Sequence, residues 1–386
     1  MKIRICTMAL AAGIALGGSA TAFAAPGADA PASVAASAAL PAAAPSLQAR
    51  LQAGMAGSQV PAMGAVSIRQ GQVTERAVAG VRAKGGADPV QPDDVWHLGS
   101  NGKAMTATMV ARLVERGLLS WDAPLSQMLP ELDAQMLAAY RDVTLRDLFT
   151  HQSGLPADID ESWVAVFHKD KRPLHEQRMA FARIALAQTP AFARGAGDGY
   201  SNSGVVIAGL VAERASGLPY ETLMQREVFE PLGLRSAGFG ATHRGQPLGH
   251  KAGAPVEGIA GDNPAVVAPA GGLYMSLDDW ARFAIDQMAG EHGRGKLLKE
   301  PTYRLLHQPA REGGKFALGW RLQNSMAGVS ARHLAHTGSN EAWFALIVLR
   351  PDTEDAVLVA SNASEDVQAD KAVRAVAVAM LKAMSP

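Results

Sequence analysis

Ser100-Asn101-Gly102-Lys103 is the stretch of this sequence best suited to chemistry. On a helix, a lysine three residues after a serine lies one turn away on the same face, so hydroxyl and amine can reach each other. A serine at the helix start also sits where free backbone N–H groups and the positive end of the dipole face a developing oxyanion. Such a pair can perform nucleophilic acyl transfer. The same spacing also describes a serine that caps a helix and a lysine left in water. Two further clusters could share a cleft with it. In Tyr200-Ser201-Asn202 a phenol can move protons while an amide binds a carbonyl or orients a lysine, although a stacking ring and an N-cap have the same pattern. In His336-Thr337-Gly338-Ser339-Asn340 a glycine lets a ligand approach an edge strand, with hydroxyls and N–H groups beside it; a simple bulge or turn is the plain alternative.

These residues need elements to hold them. Apolar Met105, Met109 and Leu113, with Val110 and Val114 beside them, recur at helical spacing over 100–116, and Gly117 stops the run. Further helices are expected at 46–55, 144–150, 203–215 (closed by Gly217), 220–229, 277–288 and 370–383. Ser276 and Asp279 have the spacing of a capping box for the helix over 277–288. Segments 65–69 and 73–81 flank a Gln70-Gly71 turn as a hairpin. Strands are expected again at 315–322, 331–334, 342–349 and 356–360. Strands at both ends around a helical middle predict a mixed α+β fold: one antiparallel sheet built from both termini, with a mainly helical lobe inserted.

Taken in order, S-x-x-K, then Y-x-N about a hundred residues later, then H-T-G on a late strand resembles the penicillin-recognising serine hydrolases, from about residue 46 to the end. Leu98-Gly99-Ser100, the segment from Phe149 through His151, Gly154 and Pro156, Pro231-Leu232-Gly233-Leu234 and Ala270-Gly271-Gly272-Leu273 are similar to segments of the branch with class C β-lactamases, DD-peptidases and esterases. The resemblance implies a β-lactamase/transpeptidase-like domain over 46–386, with a sheet lobe at about 46–99 and 265–386 and a helical lobe at about 100–264. It implies Ser100 as nucleophile, Lys103 as its proton acceptor or electrostatic partner, and Tyr200 as a second proton-transfer group. Asn202 would contact substrate and Lys103. The N–H groups of Ser100 and Ser339 would form the oxyanion hole, and His336, Thr337 and Gly338 would line the substrate's far end. Neither Lys103 nor Tyr200 can serve as base at its ordinary pKa, so the two are read as a coupled pair. His336 departs from the pattern: β-lactamases of this branch usually carry lysine there, whereas a histidine of pKa near 6.5 is about a quarter protonated at pH 7. The substrate is therefore left as a β-lactam, a D-amino peptide or an ester carbonyl. A non-turnover periplasmic binding or sensor protein is the alternative function.

The 386 residues balance 36 Lys+Arg against 36 Asp+Glu with no long run of like charge, which gives nucleic acid no foothold. Lys2 and Arg4, an apolar run over 5–16 and Ala22-Phe23-Ala24 form the three-part pattern of a secretory signal, expected to occupy 1–24. That places the protein in the periplasm or outside the cell. An Ala/Pro-rich flexible leader is expected at 25–45. Cleavage would remove Cys6, the single cysteine, and leave no membrane-spanning segment, the apolar run being shorter than the roughly 20 residues a span needs. No metal is expected. His175-Glu176 lacks a second histidine at zinc-binding spacing, and His333 and His336 on a strand point to opposite faces. No other cofactor is implied, and no G-x-S-x-G is present. Trp96, Trp280, Trp320 and Trp343 read as core or rim aromatics, and His151 as a residue that orders its loop.

Overall fold

The computed structural model describes residues 45–243 and 245–384. The expected signal and residues 25–44 of the expected leader lie outside the described residues.

The strands are β1 (Ala62–Arg69), β2 (Gln72–Gly80), β3 (Val95–His97), β4 (Gly238–Phe239), β5 (Gly249–Lys251), β6 (Ala254–Val256), β7 (Leu273–Ser276), β8 (Phe316–Ala317), β9 (Trp320–Met326), β10 (Val329–Ser339), β11 (Phe344–Arg350) and β12 (Asp355–Ser361). Seven of them form one antiparallel sheet in the order β2-β1-β12-β11-β10-β9-β8, so the two chain ends meet where β1 pairs with β12. The β1–β2 turn has Gln70 and Gly71 both at positive φ, matching the right-handed twist of a tight hairpin.

The apolar strands at the C-terminal end are continuous because both sheet faces are buried. Phe344, Leu346, Val348, Val357 and Val359 face one cluster, with helices α1 (Leu47–Met55) and, further along the chain, α5 (Ala369–Ala383) packed over it. The alternate residues Ala345, Ile347, Leu349, Leu358 and Ala360 face the larger core, toward helices α2 (Gly102–Glu115), α3 (Asn202–Ser216) and α4 (Leu277–Gly290). The four tryptophans are at most 2% exposed within that core. A smaller sheet has the order β3-β7-β4, and β5 and β6 form a separate hairpin.

Several elements differ from the sequence reading. The first turn of the helix expected over 100–116 is a 3-10 turn, Gly99–Asn101, entered with Gly99 at φ 50°, and the α-helix starts at Gly102. Burial extends well beyond one stripe of α2, to Lys103, Thr106 and Thr108, because core packs around it on most sides. The helix expected over 220–229 ends at Met224 and widens into a π turn, Gln225–Phe229, carrying Glu227, whose carboxylate binds Arg112 and Arg116 at 2.9 and 2.7 Å. The strand expected over 315–322 is a hairpin broken at Gly319 (φ 83°), where a Cβ would come within 2.9 Å of the Lys103 carbonyl. At the start of α4, Ser276 Oγ accepts from Asp279 N, but the Asp279 carboxylate turns to Ser236 and Arg282, so the expected capping box is half formed. A complete one, Thr144 with Asp147, opens the Leu145–Phe149 helix.

Candidate active site

Ser100 is carried by the 3-10 turn wedged between β7 and β10. Leu98 N donates to Leu273 O (2.9 Å), and the Asn101 amide donates to Leu98 O (2.6 Å) and to Ala345 O (3.3 Å), tying the turn to both sheets. His97 sits behind it, accepting from Gly99 N at Nδ1 (3.1 Å), with Nε2 2.9 Å from Asp262. The strand expected to stop at residue 334 runs on to Ser339 because His336–Ser339 pairs with Phe344–Ile347 of β11. Pairing with β9 ends at Ala335, so the other edge of this last stretch is open, as the edge glycine suggested. Against that edge lies Ser100: a Cβ on Gly338 would fall 2.0 Å from Leu98 O and 2.6 Å from Ser100 N, and one on Gly99 2.5 Å from Ser339 N. Only glycine at both positions permits this backbone-to-backbone approach.

Lys103, fully buried one turn beyond Ser100, has three partners: Ser100 Oγ at 2.9 Å, Asn202 Oδ1 at 2.7 Å and Ala270 O at 2.5 Å. Asn202 is the first residue of α3, whose N-cap Ser201 accepts from Gly204 N. The Tyr200 ring lies under the Lys103 ammonium position, 4.9 Å from Nζ to centroid, and its phenol hydrogen-bonds to Ser100. His151 packs at a 43° tilt against the Tyr200 ring, centroids 4.5 Å apart, and meets Phe316 edge-on at 4.9 Å, while its Nδ1 accepts from Ser201 N. It thus orders its loop and lines the cleft as well. His336 is 6.3 Å from the Tyr200 ring and contacts its neighbour's carbonyl, Thr337 O, at 2.7 Å through Nδ1; Thr337 is half-buried. Ser339 Oγ is engaged by Ser364 and Glu365, away from Ser100, which leaves its backbone N–H as the group it can offer there.

Burial sets the protonation of the site. It lowers Lys103 from 10.5 to about 7, against the opposing charge of Asp158. It pushes the Tyr200 phenol above 10, although the Ser100 hydrogen bond works the other way. It brings His336 down to about 3, with Lys103 adding to the effect, and holds His151 well below 6.5. Seven of the eight residues singled out from the sequence thus lie together, and Thr337 is half-buried beside them on β10. Sequence reasoning missed Asp158, whose carboxylate accepts from Asn202 Nδ2 at 3.1 Å, and the Ala270 carbonyl. Asp158 lies two residues past the recognisable Phe149–Pro156 segment, a nearness that could have flagged it; a backbone carbonyl leaves no mark in a sequence.

The model of the beta-lactamase family matches residues 47–380. This chain belongs to that family. Among relatives, esterase EstB of Burkholderia gladioli is 34% identical over 185 residues, 46% of this chain and 47% of that protein. The putative penicillin-binding protein PbpX of Bacillus subtilis is 26% identical over 255 residues, 64% of this chain and 58% of that protein. The chain spans about half the length of these two relatives. In fold it is similar to a beta-lactamase/D-alanine carboxypeptidase from Pseudomonas syringae, at 19% identity and TM-score 0.72 over 88% of this chain and 99% of that one. Among the described residues no helix is long and apolar enough to cross a membrane. His336, held neutral by burial, is flanked on β9 by Arg321, whose charge also acts on it.

Proposed function

We propose that this protein is an exported ester hydrolase that forms an acyl-enzyme on Ser100. The observation that carries the reading is the partner set of Lys103. Asn202 Oδ1 and Ala270 O can only accept, and Ser100 Oγ can also donate. An ammonium can donate to all three, and once Lys103 loses a proton its two N–H groups keep the two pure acceptors while its lone pair faces the Ser100 hydroxyl, so the same three partners serve both protonation states. Burial lowers Lys103 to about 7, which brings the neutral amine within reach at neutral pH. The proton of Ser100 Oγ passes to Lys103 Nζ as Oγ bonds to the carbonyl carbon, and the N–H groups of Ser100 and Ser339 receive the oxyanion. Tyr200, kept protonated, relays a proton from Lys103 to the leaving alcohol. Water then attacks the acyl group and returns Oγ–H to Ser100. The uncharged His336 supports an ester, or another acyl donor without a carboxylate, ahead of an anionic β-lactam. Export rests on the pattern in residues 1–24.

Ser100→Ala is expected to keep the wild-type circular dichroism spectrum and to lose both p-nitrophenyl ester turnover and covalent labelling by a fluorophosphonate. Labelling that persists in this variant sinks the assignment. Release of many product equivalents per wild-type chain separates an enzyme from a sensor acylated once.

A further inference from the structure

We propose that Asp158 is a positioning residue of this site: through Asn202 it fixes the amide that holds Lys103, and it is the counter-charge that sets how readily Lys103 gives up its proton. The inference rests on reading Lys103 as the base for Ser100.

The geometry places Asp158 by backbone contacts on both sides. Ser201 Oγ donates to Pro156 O at 2.7 Å and Asn202 N donates to Ala157 O at 2.7 Å, so the 156–158 segment is laced onto the start of α3. From there Asp158 Oδ2 accepts from Asn202 Nδ2 at 3.1 Å while Asn202 Oδ1 accepts from Lys103 at 2.7 Å. An amide has one donating and one accepting end. A carboxylate can only take the donating end, which turns the oxygen toward Lys103. The flipped amide would set NH2 against the lysine N–H groups and oxygen against the carboxylate, two repulsions in a buried site.

The other titratable groups facing Lys103 are uncharged at neutral pH. Tyr200 lies under it from the α3 side, His151 stands behind Tyr200, and His336 faces it from β10. Burial keeps the phenol protonated and both imidazoles neutral. Asp158 is the group whose charge raises the pKa of Lys103, and Lys103 in turn lowers that of Asp158, which burial has lifted to about 6. The two titrate as a pair. A carboxylate here keeps the lysine basic enough to take the serine proton in a cleft whose burial would otherwise lower it further.

The test is the pH profile of kcat/KM for p-nitrophenyl acetate between about pH 5 and 9, a window centred on the lowered pKa of Lys103, about 7. Removing the negative charge disfavours the ammonium, so the neutral amine persists to lower pH. Asp158→Asn and Asp158→Ser are each expected to move the acid limb down by about one pH unit, and Asp158→Glu, which retains the charge, to leave it near wild type. A limb that stays in place in the folded Asn or Ser variant overturns the proposal, as does an equal shift in the Glu variant. Failure of both neutral variants to fold also overturns it, since Asp158 would then belong to the fold. Failure of the Ser100 reading is distinguishable: turnover and labelling would then survive Ser100→Ala whatever the limb does.

Discussion

Gly338→Ala tests the backbone contact on which the site is built. The strand carries Gly338 at a φ that alanine can also adopt, so the perturbation is one methyl group and the space it needs. That methyl would sit 2.0 Å from Leu98 O, 2.6 Å from Ser100 N and 2.7 Å from Asn101 Nδ2. Real Cβ atoms stay at least 3.0 Å from such atoms, so β10 and the serine turn must part by about 3.0 − 2.0 = 1.0 Å. The turn is tied to Leu273 O and Ala345 O, so the shift falls on Ser100 and on the distance between its N–H and that of Ser339. Misplacing reacting groups by about 1 Å costs on the order of 100-fold in rate, equivalent to about 2.7 kcal/mol at 1.36 kcal/mol per decade. Overpacking a closed site also costs about 1–3 kcal/mol of stability. The expected result is a kcat/KM for an ester lowered about 100-fold, with a Tm lowered by a few degrees. Thermal melts and steady-state kinetics on the same preparation read both. A variant with Tm unchanged and kcat/KM within about threefold of wild type would refute the close approach, because a loss that small, under 1 kcal/mol, is far below the cost of a 1 Å displacement.

Two other substitutions follow from the charges in the cleft. His336→Lys is expected to raise the ratio of kcat/KM for a carboxylate-bearing cephalosporin over that for a neutral ester by about tenfold, the worth of one charge-assisted contact; an unchanged ratio in paired assays counts against β10 as the wall that reads substrate charge. Lys103→Met is expected to abolish acylation and to leave Tm at pH 7 within a few degrees of wild type. Holding the amine near 7 instead of 10.5 costs about 4 kcal/mol there, and relieving that cost is offset by roughly 1–3 kcal/mol for each of the two acceptors, Asn202 Oδ1 and Ala270 O, left unbonded; a Tm lowered by about ten degrees or more would show that the buried lysine is a net stabiliser of the fold.

The groups proposed to react were legible because such chemistry requires fixed residue types at fixed spacing: Ser100 and Lys103 one turn apart, Tyr200 and Asn202 at a helix entrance. Helix ends were legible where a residue type has one conformational use, as at Gly217, which closes α3 at φ 70°. What escaped was set by partners far away in the chain. The strand bounds expected at 331–334 fall short of Ser339, where the polar residues from His336 on are held in the strand by pairing with β11. The π turn after Met224 carries Glu227 to two arginines more than a hundred residues earlier, which local propensity cannot anticipate. The half-formed cap at Ser276 has the right two residues, but Asp279 is claimed by Ser236. Asp158 was passed over because its partner, Asn202, lies more than forty residues away.

The pairing of β1 with β12 also dictates when this molecule comes into being. The first strand ends at Arg69 and its partner begins at Asp355, so β1 cannot gain that neighbour until nearly the whole chain has been made. Ser100 likewise gains its facing wall only when Gly338 and Ser339 emerge. Until then the serine turn has no strand to rest against and the amine no sealed surroundings to hold it neutral. The reactivity proposed for Ser100 would thus arrive only with topological closure.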